Sequence, residues 1–566
     1  MIDFKQTIAE LLNAQIEDMS TEEIYETLEY PKHEDMGDYA FPCFKLAKVF
    51  RKAPNMISAD LVEKIGKHEY FENIEAVAAY INFKIDKGVF AKSVLDAISE
   101  QGDAYGSTNI GNDKNLIVEF SSVNIAKAFH MGHIRSTMIG NALYKIFGFL
   151  GYNAISINHL GDYGTQFGKM IVAYKKWGNK DVILKDPVRE LVKLYVKFHD
   201  EAEADETLND TAREWFTKLE NGDQEAYDLW AWMKELSLVE FDRVYDLLGV
   251  HFDSYAGESF YSDKIPAVLA EMREKNVMKK SEGAEIVDLE DHNMPPALIT
   301  KKDGSSLYIT RDIAAAMYRK NHYNFEKNIY VVGAPQQLHF KQWMKIIELM
   351  GHDWAKDCVH VDFGTVSLEE GSMSTRKGRV IYLEEVLQKS IDSTRAIIDE
   401  KNPNLDNKDE VAKQVGVGAV VYQELSNNRI KDYTFSWEAT LSFEGETGPY
   451  VMYTHARSCS VLRKADIDFK SNIDYSHLSD DASKDVVRLL SKFPEVVLEA
   501  ARKYEPSMIT RYVTNLAQRF NRFYHDNPIL VEDVELKKAR LALVDATRQT
   551  IKTGLNLVGL AAPERM

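Results

Sequence analysis

The chain has 566 residues, with 45% hydrophobic and 28% charged residues and a formal net charge of −19. This is the balance of a soluble globular protein of several domains, and it excludes a disordered chain and a collagen-like fibre. No window approaches the ~18 consecutive apolar residues of a membrane span. The first twenty residues carry acids where a secretory signal needs a basic start and an apolar run. Cys43, Cys358 and Cys459 are the three cysteines, too far apart for a Cys-x-x-Cys zinc site or a disulfide framework. A cytoplasmic location is expected. The charge is unevenly spread: residues 445–566 carry 18 Lys+Arg against 16 Asp+Glu, and residues 1–444 carry 51 against 72. A locally basic face on an acidic protein can still meet phosphates.

In chain order, residues 1–110 read as a small α+β unit. A helix runs through Ile8, Leu11, Leu12 and Ile16, and a β-rich stretch follows at Ala76–Ile85. Gln101–Asn115, rich in Gly, Asn and Asp, has linker chemistry. Leu116–Phe120 predicts a buried parallel strand. Apolar residues from Ile134 to Leu150 at helical spacing, closed by Gly151, predict a helix, and Ala154–Ile157 predicts the next strand. This β–α–β order signals a doubly wound parallel sheet. A helical, acidic insertion occupies about 175–300, where Glu201, Glu203, Asp205 and Glu206 form a solvated face, and a hairpin turn is expected at Lys301–Gly304. The sheet resumes at Asn328–Val332 and Cys358–Phe363, around a helix over Gln337–Met350. A helical connection at 386–444 leads to a helix bundle at 445–566.

Two loops carry chemistry. His130-Met131-Gly132-His133 lies between a strand and a helix N-terminus, where free N–H groups and the helix dipole suit a phosphate. From these four residues alone, a plain helix cap with two surface histidines is the first reading. Gly371–Gly378, with Arg376 and Lys377, is a cationic loop without Walker spacing; it reads as a phosphate cover or as an ordinary surface loop.

Taken together, these loops resemble the His-Ile-Gly-His and Lys-Met-Ser-Lys-Ser signatures of class I aminoacyl-tRNA synthetases. The longer strings VEFSSVNIAKAFHMGHIRST (Val118–Thr137), NHLGDYGTQFG (Asn158–Gly168), YITRDIAAAM (Tyr308–Met317), MSTRKG (Met373–Gly378) and SFEGETGPYVMYTHAR (Ser442–Arg457) resemble arginyl-tRNA synthetases. The resemblance implies a Rossmann-like α/β catalytic domain at 111–385, an N-terminal tRNA-contacting α+β domain and a C-terminal anticodon-binding bundle. It implies condensation of arginine with ATP and transfer of the arginyl group to the terminal adenosine of tRNA(Arg). Magnesium would enter with ATP, no zinc is expected, and the enzyme would act as a monomer without membrane or DNA partners. Bound tRNA would be required before arginine is activated, and no insertion resembles an editing domain.

Site roles follow from the same resemblance. His130, Gly132, His133, Gly364, Val366, Met373 and Ser374 would hold ATP. The second signature lacks its usual lysine at Thr375, so Lys127, Arg376 and Lys377 would share the transition-state charge with the histidines. Glu119, Asn124, His159, Tyr308, Asp312 and Gln336 would bind arginine. Carboxylates are what a forked guanidinium needs, and they would reject neutral isosteres. Tyr80, Asn82, Tyr453 and Arg457 would touch the tRNA, aromatics and amides suiting unstacked bases. Glutamyl or cysteinyl specificity is opposed by the two acids and by the absence of clustered cysteines. A non-catalytic tRNA-binding relative remains the competing class. A dinucleotide oxidoreductase is excluded because the first turn has no Gly-x-Gly-x-x-Gly.

Overall fold

The computed structural model describes residues 1–31, 36–301, 308–368, 381–442 and 445–566. It divides into two compact units, each assembled from separated stretches of chain. The first joins residues 1–105, 457–493 and 515–553; the second joins 106–456, 494–514 and 554–566. Residues 445–566, read from sequence as a helix bundle, contribute segments to both units.

In the first unit, β1 (Tyr39–Pro42), β2 (Phe71–Val77) and β3 (Tyr80–Ile85) form an antiparallel sheet in the order β1-β3-β2. The single strand expected over Ala76–Ile85 is a hairpin instead. The chain reverses at Ala78, whose φ of 53° gives the turn without a Gly or Asn to announce it. The sheet packs on the helices Phe4–Asn13 and Pro54–Ile65 through Ile8, Leu12, Leu61, Ile81 and Phe83. Tyr105 Oη donates to Leu490 O at 2.9 Å, tying the end of this segment to the helix Asp481–Ser491.

The second unit is built on a parallel sheet. Its strands β4 (Asn115–Glu119), β5 (Asn153–Ile157), β9 (Lys327–Val331) and β10 (Cys358–Val361) lie in the order β10-β9-β4-β5. The small antiparallel sheet of β6 (Lys279–Ser281), β7 (Ala284–Val287) and β8 (Ala297–Thr300) belongs to the insertion. The turn placed at Lys301–Gly304 falls, from residue 302, outside the described residues. The helix Ile134–Phe149 follows β4 and lies close on the sheet. A Cβ at Gly140 would stand 2.1 Å from Phe120 Cβ, so only glycine allows this approach. The insertion contains the helices Thr165–Trp177, Pro187–Ala204, Thr207–Glu220 and Gln224–Leu248. Beyond it, β11 (Val366–Leu368) pairs in parallel with β12 (Tyr433–Phe435), a two-stranded ribbon that periodicity did not reveal. Among the described residues no helix is long and apolar enough to cross a membrane.

In a parallel sheet, ligands bind off the carboxyl ends of the strands. Glu119 ends β4, Asn158 and His159 follow β5, Gly333–Gln336 follow β9, and Gly364 follows β10. Glu119, His159, Gln336 and Gly364 thus lie at the carboxyl ends of the four strands.

Candidate active site

The loop after β4 is held in a strained path. Ser121, Ser122 and Ala126 have φ of 68°, 49° and 58°, in the left-handed region that costs a side-chain-bearing residue about 1–2 kcal/mol. Hydrogen bonds hold it there. Ser121 N donates to Ser136 Oγ at 2.9 Å, Ser121 Oγ meets Thr137 Oγ1 and Tyr245 Oη at 2.8 Å each, and Ala126 N donates to Ser237 Oγ at 3.1 Å.

This path delivers the His130–His133 turn. His130 N donates to His133 Nδ1 at 3.2 Å, and Gly132 N donates to His130 Nδ1 at 3.0 Å. Both Nδ1 atoms accept, so each neutral ring carries its proton on Nε2 and keeps that donor for a ligand. The rings stack with centroids 3.9 Å apart. Burial, and then the positive charge of Lys127, pushes the His130 pKa down to about 4. His133 is pushed well below the ordinary value by burial, by His130 and by Lys127. The free site therefore presents two neutral N–H donors beside one lysine.

The turn is also pinned to the far side of the second signature. Met131 N donates to Ile381 O at 3.1 Å, and Leu383 N donates to Phe129 O at 3.0 Å. β11 lies alongside the same turn. Both described flanks of 369–380 therefore sit at the histidines. Met373, Ser374, Arg376 and Lys377 themselves lie outside the described residues. Arg135, which the sequence reading missed, joins the helix of the turn to the helix Lys408–Ser426 and to the stretch that leads from it into β12. It is 1% exposed, donates from Nε to Glu424 Oε1 at 2.8 Å, and reaches Lys431 O at 2.7 Å and Arg429 O at 3.1 Å. Gly364 and Val366 follow β10. The Gly364 N–H is already donated to Arg429 O at 2.9 Å, so it is not an open donor for adenine, while Val366 is in register with Tyr433 on β12.

The amino-acid side gathers charge. Glu119 is buried, and its Oε2 accepts from Arg319 Nη1 at 2.5 Å. Arg319 is fully buried, approaches His159 Nδ1 at 3.3 Å, and packs near the rings of Tyr261 and Tyr330. Asp312 accepts from His339 Nε2 at 2.5 Å. Glu258, which no sequence spacing marks, pairs with Arg311 Nη1 at 2.8 Å. Burial raises its pKa, opposed by Arg311 and His159 and reinforced by Asp312 and Asp162. Glu258 therefore lies within electrostatic reach of His159 and Asp312, and Tyr330 within that of Glu119 and Asp312. Asn124 bridges in parallel to Gly161, where a Cβ would stand 2.1 Å from Asn124 Oδ1. Tyr308 is 60% exposed, with the Arg311 guanidinium 4.9 Å from its ring centre. Gln336 is exposed at the start of the helix Gln337–Leu349.

Three family models match the chain: "Arginyl tRNA synthetase N terminal domain" over residues 4–85, "tRNA synthetases class I (R), catalytic domain" over 94–437, and "DALR anticodon binding domain" over 451–566. Proteins named arginine–tRNA ligase from Halothermothrix orenii and Clostridioides difficile are 59% and 60% identical over the whole of both chains. The chain belongs to the arginyl-tRNA synthetase family. The Thermus thermophilus arginyl-tRNA synthetase structure shares the fold with a TM-score of 0.78 at 24% identity, over 99% of this chain and 100% of that one.

Within this synthetase, the expected tRNA contacts fall into different surroundings. Tyr80 is half-buried and meets the exposed Phe44 edge-on at 5.5 Å. Asn82, in the central strand between Ala40 and Glu75, is 4% exposed, so of that pair only the tyrosine reaches the surface. Tyr453 is 43% exposed on the helix Gly448–Lys464. Arg457, on the same helix, donates to Asn521 Oδ1 at 2.7 Å and lies over the Tyr524 ring. His455, part of the polar–aromatic stretch, is buried and meets Pro563 O at 2.9 Å. Arg519 and Arg522 line a concavity of about 340 Å³ in the first unit, and Arg519 was not singled out from sequence.

Proposed function

We propose that the chain activates L-arginine with ATP and transfers it to the 3′ adenosine of tRNA(Arg), with the residues above in the roles that follow. The observation that carries these roles is the His130–His133 pair, with both Nε2–H donors kept for a ligand, on the loop that leaves β4 at Glu119. In the first step an oxygen of the arginine carboxylate attacks the α-phosphorus, the bond to the β-phosphate breaks, and pyrophosphate leaves. The nucleophile is already charged, so the protein supplies positioning and charge stabilisation rather than a base. The two imidazole donors, Lys127, Arg376 and Lys377 take the phosphate charge, and magnesium arrives with the nucleotide. In the second step a ribose hydroxyl of the terminal adenosine attacks the arginyl carbonyl and AMP leaves. Asp312 and Glu119 meet the substrate guanidinium; Asn124 and Gln336 hold its backbone groups, with His159 and Tyr308 beside it. Among the described residues no group of three or more His, Cys, Asp or Glu is placed to hold a metal ion. The enzyme works in the cytoplasm as a monomer.

The test is ATP–pyrophosphate exchange with each of the twenty amino acids, with and without tRNA. Exchange with arginine alone, and only with tRNA present, is the expected result. Exchange with another amino acid overturns the Glu119–Asp312 pocket. Absence of exchange from folded protein that still binds tRNA overturns the catalytic assignment.

A further inference from the structure

A forked guanidinium is met best by a carboxylate whose plane is set to accept two parallel N–H groups. The backbone does not set that plane, because the last torsion of an aspartate is broad. Asp312 illustrates the difficulty. Its helix, Tyr308–Tyr323, is anchored by Ile313 and Ala316, both fully buried, whereas the Asp312 side chain is 29% exposed. The carboxylate has a fixed root and room to turn. The contact that holds its plane comes from a different helix: His339 Nε2 lies 2.5 Å from Asp312 Oδ2. An ionised carboxylate only accepts, so the imidazole is the donor. A carboxylate has about four acceptor sites, so this bond does not exhaust Asp312.

His339 is mounted to keep a direction. It stands in the first turn of the helix Gln337–Leu349. The next residue, Phe340, is buried and meets the His339 ring edge-on, with centroids 6.0 Å apart. On β10, His360 stacks face to face on Phe340 at 4.2 Å, and its Nε2 donates to Val332 O at 2.8 Å. Further along the same helix, Trp343 and Ile346 are fully buried in the core beneath. The imidazole is thus braced through Phe340 against the ends of β9 and β10. Glu119 and Glu258 are paired instead with arginines. An imidazole has fewer torsions than an arginine and loses less rotamer freedom in fixing a neighbour.

We infer that His339 is a positioning residue for arginine selection: it fixes the plane of the Asp312 carboxylate so that a guanidinium is met in line. This rests on the assignment of Asp312 to the substrate guanidinium given above. An ammonium is a point charge that a carboxylate meets in many rotations, whereas a planar fork is met in few. Loss of His339 therefore weakens arginine more than lysine.

The test is steady-state ATP–pyrophosphate exchange, with tRNA(Arg) present, in wild type, His339→Leu, His339→Gln, Asp312→Asn and the double variant His339→Leu/Asp312→Asn. In His339→Leu the KM for arginine should rise roughly three- to tenfold, the worth of one hydrogen bond, with kcat and the KM for ATP unchanged. His339→Gln, whose amide keeps an N–H donor, should recover most of the loss. The double variant should bind arginine no worse than Asp312→Asn alone, because a residue that acts through another is not additive with it. Should His339→Leu fail to fold, His339→Asn, whose amide is too short for Oδ2, gives the same readout. An unchanged arginine KM overturns the role, and so does an equal rise in both KM values. Effects that multiply in the double variant place the action of His339 elsewhere and also overturn it. A rise as large in the inhibition constant of lysine, measured as a competitor of arginine, reports lost charge rather than lost orientation and overturns it too. An arginine KM that Asp312→Asn leaves unchanged overturns instead the assignment of Asp312 on which the role rests.

Discussion

At the His130–His133 turn, each fixing contact uses a main-chain atom. On the amino-acid side, Glu119, Asp312 and Glu258 are each held by another side chain: Arg319, His339 and Arg311. The difference follows from the ligands proposed for each side. A polyphosphate is served by dipoles and neutral donors aimed in advance, which need no counter-charge while they wait. A guanidinium is served by carboxylates, and a buried carboxylate without a partner is costly. The amino-acid side therefore carries internal cations. In the proposed roles, the substrate would enter among acids that are already compensated, and geometry rather than raw charge would decide what is accepted.

The largest expected effect tests that compensation. Arg319→Met leaves Glu119 buried and unpaired, and should cost about 3–5 kcal/mol in urea unfolding. Arg319→Met combined with Glu119→Gln should recover much of it. A single variant as stable as wild type would show that Glu119 does not depend on its internal cation. Next, His130→Ala should lower the rate of arginine-dependent exchange by about 10²–10³-fold, the usual cost of one preorganised donor, with the arginine KM unchanged. A fall below tenfold would break the contrast on the nucleotide side. Asp312→Asn weakens a charge-assisted hydrogen bond worth about 1.5–3 kcal/mol, so the arginine KM should rise roughly 10–150-fold while that for ATP stays constant. An equal rise for both substrates would merge the two sides into one.

The smallest effect is in pH. The unfolded chain takes up the His130 proton near 6.5, and the folded protein only near 4. Stability from this group is therefore unaffected above about 6.5 and falls as pH drops from there toward 4. His130→Asn should show a smaller drop in unfolding midpoint between pH 7 and 5 than wild type. An identical drop would mean that the turn tolerates a charged imidazole.

The same contrast explains what could be read from sequence. The histidine turn was legible because its parts are four consecutive residues between a strand and a helix. The internal cations were not, because Arg319 lies 200 residues from Glu119 and Arg311 lies 53 from Glu258, and no local period joins them. The central sheet was legible from apolar runs bounded by turn residues. The β2–β3 hairpin was read as a single strand because its turn is Val77-Ala78-Ala79-Tyr80, with no residue type that signals a reversal. The β11–β12 ribbon is three residues wide and joins Val366 to Tyr433, too short and too distant to show a pattern. Asn82 was named as a tRNA contact from the family resemblance alone; that resemblance carries no burial, and its place in the middle strand leaves it 4% exposed.

The interleaving of the two units has a practical consequence for deletion work. His455 meets Pro563 O, and Gly559 is so near Asn141 that a Cβ there would stand 2.5 Å from its Nδ2. Asn141 lies on the helix that begins at the histidine turn. A truncation made to remove anticodon binding by ending the chain near residue 456 would also strip the 494–514 and 554–566 segments from the catalytic unit. Loss of activity in such a fragment would report a damaged active-site scaffold as much as lost RNA recognition. Point substitutions at exposed positions such as Tyr453 and Arg519 are the cleaner instrument for separating the two.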